Sequence, residues 1–268
     1  MIVTLSNRIA GKSHAPTIIT GVSNDLPENV TNPDFSHIYI SSDPQRLTMS
    51  FGVVDACDYI AVAGLNIKGN GNGTSRVRVS NAASRDAPAG EAVTIRTVNV
   101  TDDQVVVIPF PKQSFTDLRI GLYKETGIGN PSVAYVAAGL SFEVPNGGEQ
   151  AGYNRQFLAR NNTNKTTVSG LAAPISQLRK KKQAKGKLSI PNATKEFSET
   201  TYQTFLDFAS SNLFFINETE GTYPSTFSGT NPSCYLCYDL GMNAVTAHGS
   251  TRKLNVINFD FKVFNGCC

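Results

Sequence analysis

Tryptophan is absent from this 268-residue chain, and charged residues are scarce. Asp, Glu, Lys and Arg make up 17 % of the sequence, whereas an average soluble protein carries about 25 %. No run of about 18 apolar residues occurs, so we do not expect a membrane-spanning helix. Residues 1–5 lack the charged start and apolar core of a signal peptide, so we do not expect secretion by the ordinary route. Sugar-binding grooves usually present tryptophan, and its absence counts against such a groove.

Histidine is rare as well, which limits the enzyme classes open to the chain. Nucleophilic catalysis needs a base beside a Ser or Cys nucleophile, and only His14, His37 and His248 are available. His37 falls in a predicted strand and His248 in a predicted turn, where surface or structural roles are usual. The acidic pairs at 55/58 and 102/103 are a weak sign of glycoside hydrolysis, which depends on a carboxyl separation that sequence does not give. We therefore do not expect an enzyme.

Two patterns suggest phosphate or nucleic-acid binding but are incomplete. Gly11-Lys12-Ser13 follows a strand-like start, yet the glycine that a phosphate-binding loop needs five residues earlier is Ser6, and a strand rather than a helix follows. The basic run Arg179–Lys187 has no interleaved aromatic residues for base stacking. Lysines at a strand edge also prevent edge-to-edge pairing, and we favour that interpretation. Neither nucleotide binding nor specific nucleic-acid recognition is expected.

Alternation of apolar and polar residues dominates the first half of the chain. Leu47, Met49 and Phe51 alternate with polar residues, and Val77 and Val79 alternate with arginines and serine. Residues 59–65 and 105–108 are continuous apolar runs typical of strands buried on both faces. Turn-forming Gly, Pro and Asn separate these segments at short intervals. Many short strands with regular turns predict an antiparallel β-sandwich of jelly-roll type.

The glycine-rich stretch 145–152 is the best candidate for a domain boundary. It divides a jelly-roll unit, residues 1–147, from a second β unit, residues 148–268. In the second unit we predict a helix over about 198–211, with Ser198 as N-cap, and a closing strand over 255–264. The predicted fold class is mainly β: an N-terminal jelly-roll sandwich plus a C-terminal β-barrel or sandwich domain with one flanking helix.

Four of the five cysteines lie close to the C-terminal end, as Cys234-Tyr-Leu-Cys237 and Cys267-Cys268. Four thiolates bind zinc or iron when they converge, and the spacing of Cys234 and Cys237 suits this. Vicinal cysteines such as Cys267 and Cys268 seldom direct both sulfurs to one metal. The alternative, which we favour, is that no cofactor is bound, Cys234 packs as a small apolar residue, and Cys267 and Cys268 are free or oxidised to disulfide. Cys57 is predicted to lie in the core.

A resemblance to known proteins follows from the order of several segments: Pro27–Val30, residues 35–40, Asp58-Tyr-Ile-Ala-Val-Ala-Gly-Leu-Asn66 and Arg76-Val-Arg-Val79. This order resembles the jelly-roll domains, related to the galactose-binding fold, of structural proteins in tailed bacteriophages. The second half is similar in outline to distal tail and baseplate tail-tip proteins built on the tail-tube barrel. Some of those proteins hold an iron–sulfur cluster in their C-terminal region, so the resemblance implies such a cluster at Cys234, Cys237, Cys267 and Cys268, with zinc as the other metal.

Two functions from different classes remain. The resemblance implies a virion structural protein, made in the host cytoplasm, that acts in assembly and attachment of a phage tail tip without turnover. Its expected partners are other tail proteins and copies of itself in a ring, with a host surface glycan as a further partner. The alternative is a carbohydrate-binding adhesin module. Symmetric assembly separates the two, because a lone module should be monomeric and retain sugar.

Overall fold

The computed structural model describes most of the chain, with gaps in several loops and in most of the region after residue 145. The described residues are 1–11, 14–33, 35–67, 75–84, 87–88, 91–100, 105–125, 129–145, 160–163, 179–182, 185–217, 234–248 and 254–263.

The N-terminal unit is a jelly-roll β-sandwich of two antiparallel sheets. The five-stranded sheet has the order β2-β4-β9-β6-β7, formed by Thr17–Thr20, Arg46–Ser50, Leu118–Tyr123, Ser75–Asn81 and Val93–Val100. The three-stranded sheet has the order β11-β5-β8, formed by Tyr135–Gly139, Val54–Ala63 and Val106–Phe115. A short pair, β3 (Tyr39–Ile40) and β10 (Ser132–Val133), and a 3-10 turn at Pro27–Thr31 complete the unit.

A six-stranded sheet contains the C-terminal strands together with two strands from the first half of the chain. Its order is β12-β1-β16-β17-β18-β15, formed by Ser141–Glu143, Ile2–Thr4, Phe214–Asn217, Cys234–His248, Leu254–Val263 and Lys185–Thr194. All its pairings are antiparallel, and β17 and β18 form a long hairpin. Separately, β13 (Arg160–Thr163) pairs with β14 (Arg179–Lys182).

Two consecutive helices, α1 (Lys195–Glu199) and α2 (Thr201–Ala209), lie on one face of the six-stranded sheet. The predicted N-cap was Ser198, which is wrong: Thr194 caps the segment, and its hydroxyl accepts from the Phe197 N–H at 3.1 Å. Thr200 separates the helices while its side chain donates to the Glu196 carbonyl at 2.7 Å. Tyr202, Phe205 and Ala209 form the buried face, as the spacing predicted.

Apolar layers join these elements into a stack. Within the sandwich, inward residues such as Val77, Ile60 and Leu122 form one cluster. The outer face of the three-stranded sheet packs on the six-stranded sheet through a second cluster, which contains Tyr59, Ala61, Ala63, Val105, Val107, Tyr135, Ala137, Phe215, Cys234 and Leu236. The far face of the six-stranded sheet packs on the helices, with Phe205 in edge contact with Phe214 and Phe259 at centroid distances of 5.2 and 5.0 Å.

The small side chains of Ala61, Ala63 and Ala137 let the two sheets approach closely at this second cluster. Strands buried on both faces lose the apolar–polar alternation that a half-exposed strand shows. The continuous apolar run predicted for residues 59–65 is therefore explained by sheets on both sides.

The predicted fold class is confirmed: the chain is mainly β, with an N-terminal jelly-roll sandwich and a C-terminal β region flanked by helix. The boundary expected at residue 147 lies outside the described residues, and the division into 1–147 and 148–268 stays a prediction. The structure adds that β1 and β12 belong to the C-terminal sheet, where Ile2 pairs with both Glu143 and Asn217. The two units are thus joined by backbone hydrogen bonds as well as by packing.

Among the described residues, no helix has both the length and the apolar character needed to cross a membrane.

Candidate functional site

The structure places Cys234 and Cys237 in strand β17. Side chains alternate between the faces of a strand, so residues three apart point in opposite directions. Cys234 packs in the cluster between the two sheets, whereas Cys237 packs in the cluster below the helices. A metal cage that needs both sulfurs at one ion does not fit this arrangement.

Of the other three cysteines, Cys57 alone lies within the described residues. Cys267 and Cys268 lie outside the described residues, so their share of the predicted metal site stays a prediction. Cys57 is fully buried in the sandwich core, and burial, helped by the charge of Asp58, raises the pKa of its thiol to about 12. Within the ranges that the structure describes, no three His, Cys, Asp or Glu side chains are grouped to hold a metal ion.

The three histidines are far apart in the fold. His14 is exposed, and its Nδ1 lies 3.0 Å from the Ala10 carbonyl oxygen. His37 is exposed in the segment before β3, so the strand predicted for it is wrong. His248 ends β17, paired with Leu254, where a turn was predicted.

The acidic residues of β5 have separate roles. Asp58 accepts hydrogen bonds from the Ser141 N–H and hydroxyl at 2.8 and 2.9 Å, which ties β12 to β5. Burial raises the pKa of Asp58 above its ordinary value, although these hydrogen bonds oppose the shift. Asp55 is exposed on the same strand. Asp102 and Asp103 lie outside the described residues.

An open cleft of about 760 Å³ lies where helix α2 ends, beside strands β17 and β18. Its volume is in the range of small-molecule binding sites. One wall is the chain leaving the helix, the second is the β17–β18 hairpin, and Pro33 contributes from the N-terminal unit. The lining residues are Pro33, Ala209, Ser210, Ser211, Asn212, Leu213, Tyr238, Asp239, Lys262 and Val263.

Strand register places the aromatic and cationic groups of the cleft side by side. Tyr238 of β17 is directly opposite Lys262 of β18, and the Lys262 ammonium lies 5.4 Å from the Tyr238 ring centroid. Phe261 and Val263 are buried under the helices, so Lys262, which alternates with them, projects from the other face. Both Tyr238 and Lys262 are partly exposed. The pair presents an aromatic face and a cation to the cleft.

Asp239 stands next to Tyr238 at an irregularity in the hairpin. The β17–β18 register shifts between Asp239 and Asn243, and Gly241 has φ +70°, a conformation that favours glycine. Asp239 Oδ1 accepts from the Gly241 N–H at 2.8 Å, which fixes the carboxylate at the turn. Its negative charge, after burial, is the second cause that raises the pKa of Tyr202.

The helix end supplies the polar wall opposite. Asn212 Nδ2 donates to the Phe208 carbonyl at 2.9 Å, and Ser210 Oγ donates to the Asp207 carbonyl at 2.8 Å. These bonds hold both side chains in place at the helix end. The hydroxyl and amide oxygens can still accept hydrogen bonds from a ligand.

The sequence patterns did not indicate this cleft. Its aromatic and cationic residues are 24 positions apart and meet only through the hairpin register. The available signal was Tyr238-Asp239 directly after the cysteine pair.

Comparison with known proteins finds only distant likenesses. No family model matches the chain, and no curated protein matches it significantly. Solved structures similar to it include chitosan-binding module 1 from a chitosanase/glucanase of Paenibacillus sp. IK-5, with 11 % identity and a TM-score of 0.38, covering 50 % of this chain and 98 % of the module. The family 32 carbohydrate-binding module of Clostridium perfringens NanJ, solved with galactose, has 12 % identity and a TM-score of 0.36, covering 53 % and 100 %.

A third similar structure is CpGH89CBM32-5 from Clostridium perfringens, in complex with GalNAc-β-1,3-galactose. It has 9 % identity and a TM-score of 0.35, and the match covers 46 % of this chain and 93 % of the module. Likeness at this level does not assign a ligand to this chain.

Proposed function

We propose that this protein is an attachment protein that binds a glycan without turnover, through the cleft between the end of α2 and the β17–β18 hairpin. The observation that carries the proposal is the Tyr238–Lys262 pair, with the Lys262 ammonium 5.4 Å from the ring centroid in an open cleft of about 760 Å³. An aromatic face packs against the C–H groups of a sugar ring, as in other amphipathic contacts of tyrosine.

The polar groups around that pair suit a ligand covered with hydroxyls. Lys262 is a donor only, whereas the Asp239 carboxylate and the Asn212 amide oxygen are acceptors, because the Asn212 amide nitrogen already donates to Phe208 and Ser211. A sugar hydroxyl donates and accepts, so it can bridge such neighbours. The open form of the cleft suits a chain end or a branch of a larger glycan. Tyr238 supplies the aromatic contact that tryptophan usually supplies in sugar-binding grooves, because this sequence contains no tryptophan.

A second function, the virion tail component, is favoured by the edges of the six-stranded sheet. Strands β12 and β15 each have one side unpaired within the part of the chain that the structure describes. At the far end of the β17–β18 hairpin, Val245 and Leu254 are 46 % and 37 % exposed. Open edges and exposed apolar residues are means by which copies or neighbours join. Under this proposal the protein is located in the virion, forms a ring of its own copies, contacts other tail proteins, and uses the cleft for attachment to the host.

Binding to an oligosaccharide array, followed by titration calorimetry of any retained sugar, tests the glycan proposal. Tyr238→Ala should weaken binding by at least about tenfold, because tyrosines central to a binding site are among the residues whose truncation costs most. Lys262→Ala should weaken it too, whereas Lys195→Ala, at an exposed lysine of α1 beside the opposite end of β18, should not.

Failure of the wild-type protein to retain any sugar would contradict the glycan proposal. So would sugar binding that survives both Tyr238→Ala and Lys262→Ala. Mass photometry addresses the second function: rings that form alone or with tail proteins support it, and a strict monomer that retains sugar favours an adhesin module.

A further inference from the structure

The outer face of the five-stranded sheet carries three arginines around one tyrosine. In the strand register, Tyr123 of β9 is opposite Arg46 of β4 on one side and Arg76 of β6 on the other. Arg78 lies two residues further along β6, opposite Gly121. Leu47, Val77 and Leu122 alternate with these residues and are fully buried, so the four polar side chains face away from the core. We call Arg46, Arg76, Arg78 and Tyr123 the arginine face.

Gly121 makes room for the tyrosine ring that orders this face. A Cβ atom at Gly121 would lie 2.7 Å from Tyr123 Cε2, so the ring lies over the glycine. The guanidinium carbons of Arg76 and Arg78 lie 5.1 and 4.7 Å from the ring centroid, within cation–π distance. Arg78 Nη2 also donates to the Tyr123 hydroxyl. The ring therefore holds two guanidinium groups in place before any ligand arrives.

These arginines differ from the structural arginine on the same face. Arg119, opposite Ser80, is fully buried, and its three nitrogens donate to Asp117, Ser84 and Pro88 at 2.7–3.2 Å. Within the described residues, no carboxylate forms an ion pair with an arginine of the arginine face. Arg78 Nε is buried without a hydrogen-bond partner. Arg46 and Arg76 are exposed, so their positive charge and N–H donors remain for an external acceptor.

We propose that the arginine face binds an oxyanion group, carboxylate or sulfate, of an acidic polysaccharide. Guanidinium groups bind planar or tetrahedral oxyanions through paired N–H donors. A nucleic-acid strand fits less well, because such strands use a long basic groove with several stacking rings, whereas one ring stands here. The site is on a different sheet from the cleft, so the proposal goes beyond the proposed function and does not depend on it.

The test measures binding of the full chain to dextran sulfate, polygalacturonate, neutral dextran and single-stranded DNA at one physiological ionic strength. The wild-type protein should bind at least one of the two acidic polysaccharides and not neutral dextran. Arg76→Gln combined with Arg78→Gln should weaken that binding by at least about tenfold, since charge-assisted hydrogen bonds are the strong class. The two acidic probes distinguish carboxylate from sulfate as the preferred group.

A matched control removes the same charge elsewhere. Lys187→Gln combined with Lys195→Gln changes two exposed lysines of the C-terminal unit and should change the affinity by less than about threefold, the effect of screened long-range charge. Tyr123→Phe keeps the ring but removes the hydroxyl that accepts from Arg78, so it should give a smaller loss with an unchanged unfolding midpoint. Should the arginine double variant not fold, Arg46→Gln at the exposed start of β4 gives the same comparison.

Equal losses in the arginine and lysine double variants would overturn the proposal, because the binding would then follow net charge alone. No binding of either acidic polysaccharide by the wild-type protein, or binding of DNA only, would also overturn it. Tyr238→Ala should leave this binding unchanged, so failure here and failure of the cleft are separate results.

Discussion

Replacement of Phe215 by alanine tests the layer that joins the two units. Phe215 is 1 % exposed on β16, and its ring stacks on Tyr135 of β11 with centroids 6.0 Å apart and an interplanar angle of 9°. Loss of a fully buried phenylalanine costs about 3–5 kcal/mol through lost burial and the cavity that remains. The stacked pair itself supplies about 0.5–1.5 kcal/mol of that, which a double-mutant cycle with Tyr135→Leu should recover.

Guanidinium unfolding followed by far-ultraviolet circular dichroism measures the loss. Val93→Ala is the control, since Val93 is 68 % exposed and its truncation should stay within about 0.5 kcal/mol. Because Phe215 contacts both units, native-state hydrogen exchange should quicken in β5 as well as in β15. A loss below about 1 kcal/mol, or faster exchange confined to β15, would refute the inference that this layer couples the units.

Three further predictions concern single groups. Asp117→Ala leaves the Arg119 guanidinium buried without its partner at 2.7 Å, and thermal or chemical unfolding should show a loss of about 3–5 kcal/mol. Thr194→Ala removes the N-cap of α1 and should cost about 1 kcal/mol by the same measurement; an unchanged free energy of unfolding would contradict a stabilising cap at Thr194. Folding raises the pKa of the Cys57 thiol from 9.0 to about 12, so the stabilisation is present below pH 9 and is lost as pH rises toward 12. Urea midpoints should fall over that window, and less so in Cys57→Ala; a pH-independent midpoint would contradict the shift.

Strand positions were predictable wherever one face of a strand meets the core. Val77 and Val79, and likewise Phe259 and Phe261, are buried as their alternation predicted. Strand β17 was not predicted, because the shift near Gly241 interrupts its alternation and part of it is exposed. A bulge changes which residues share a face, and sequence alone does not mark where it falls.

The shared sheet was not predictable for a different reason. Ile2 pairs with Asn217, more than two hundred positions away in sequence, and local patterning carries no signal for such a pairing. The cleft and the arginine face were not predictable for the same reason, because both depend on which strands pair. Arg76 and Arg78 were visible as polar positions of a strand, but their relation to Tyr123 depends on the β6–β9 register. What the sequence did provide was the residue types; the pairing of strands brought them together.

Hydrogen–deuterium exchange with and without a retained oligosaccharide tests the central claim, attachment through the cleft, most directly. Binding should slow exchange in the peptides that carry Ala209–Leu213, Tyr238–Asp239 and Lys262–Val263, the residues that line the cleft. The effect should disappear in Tyr238→Ala at the same sugar concentration. Slower exchange confined to the sandwich loops, with the cleft peptides unchanged, would contradict the account.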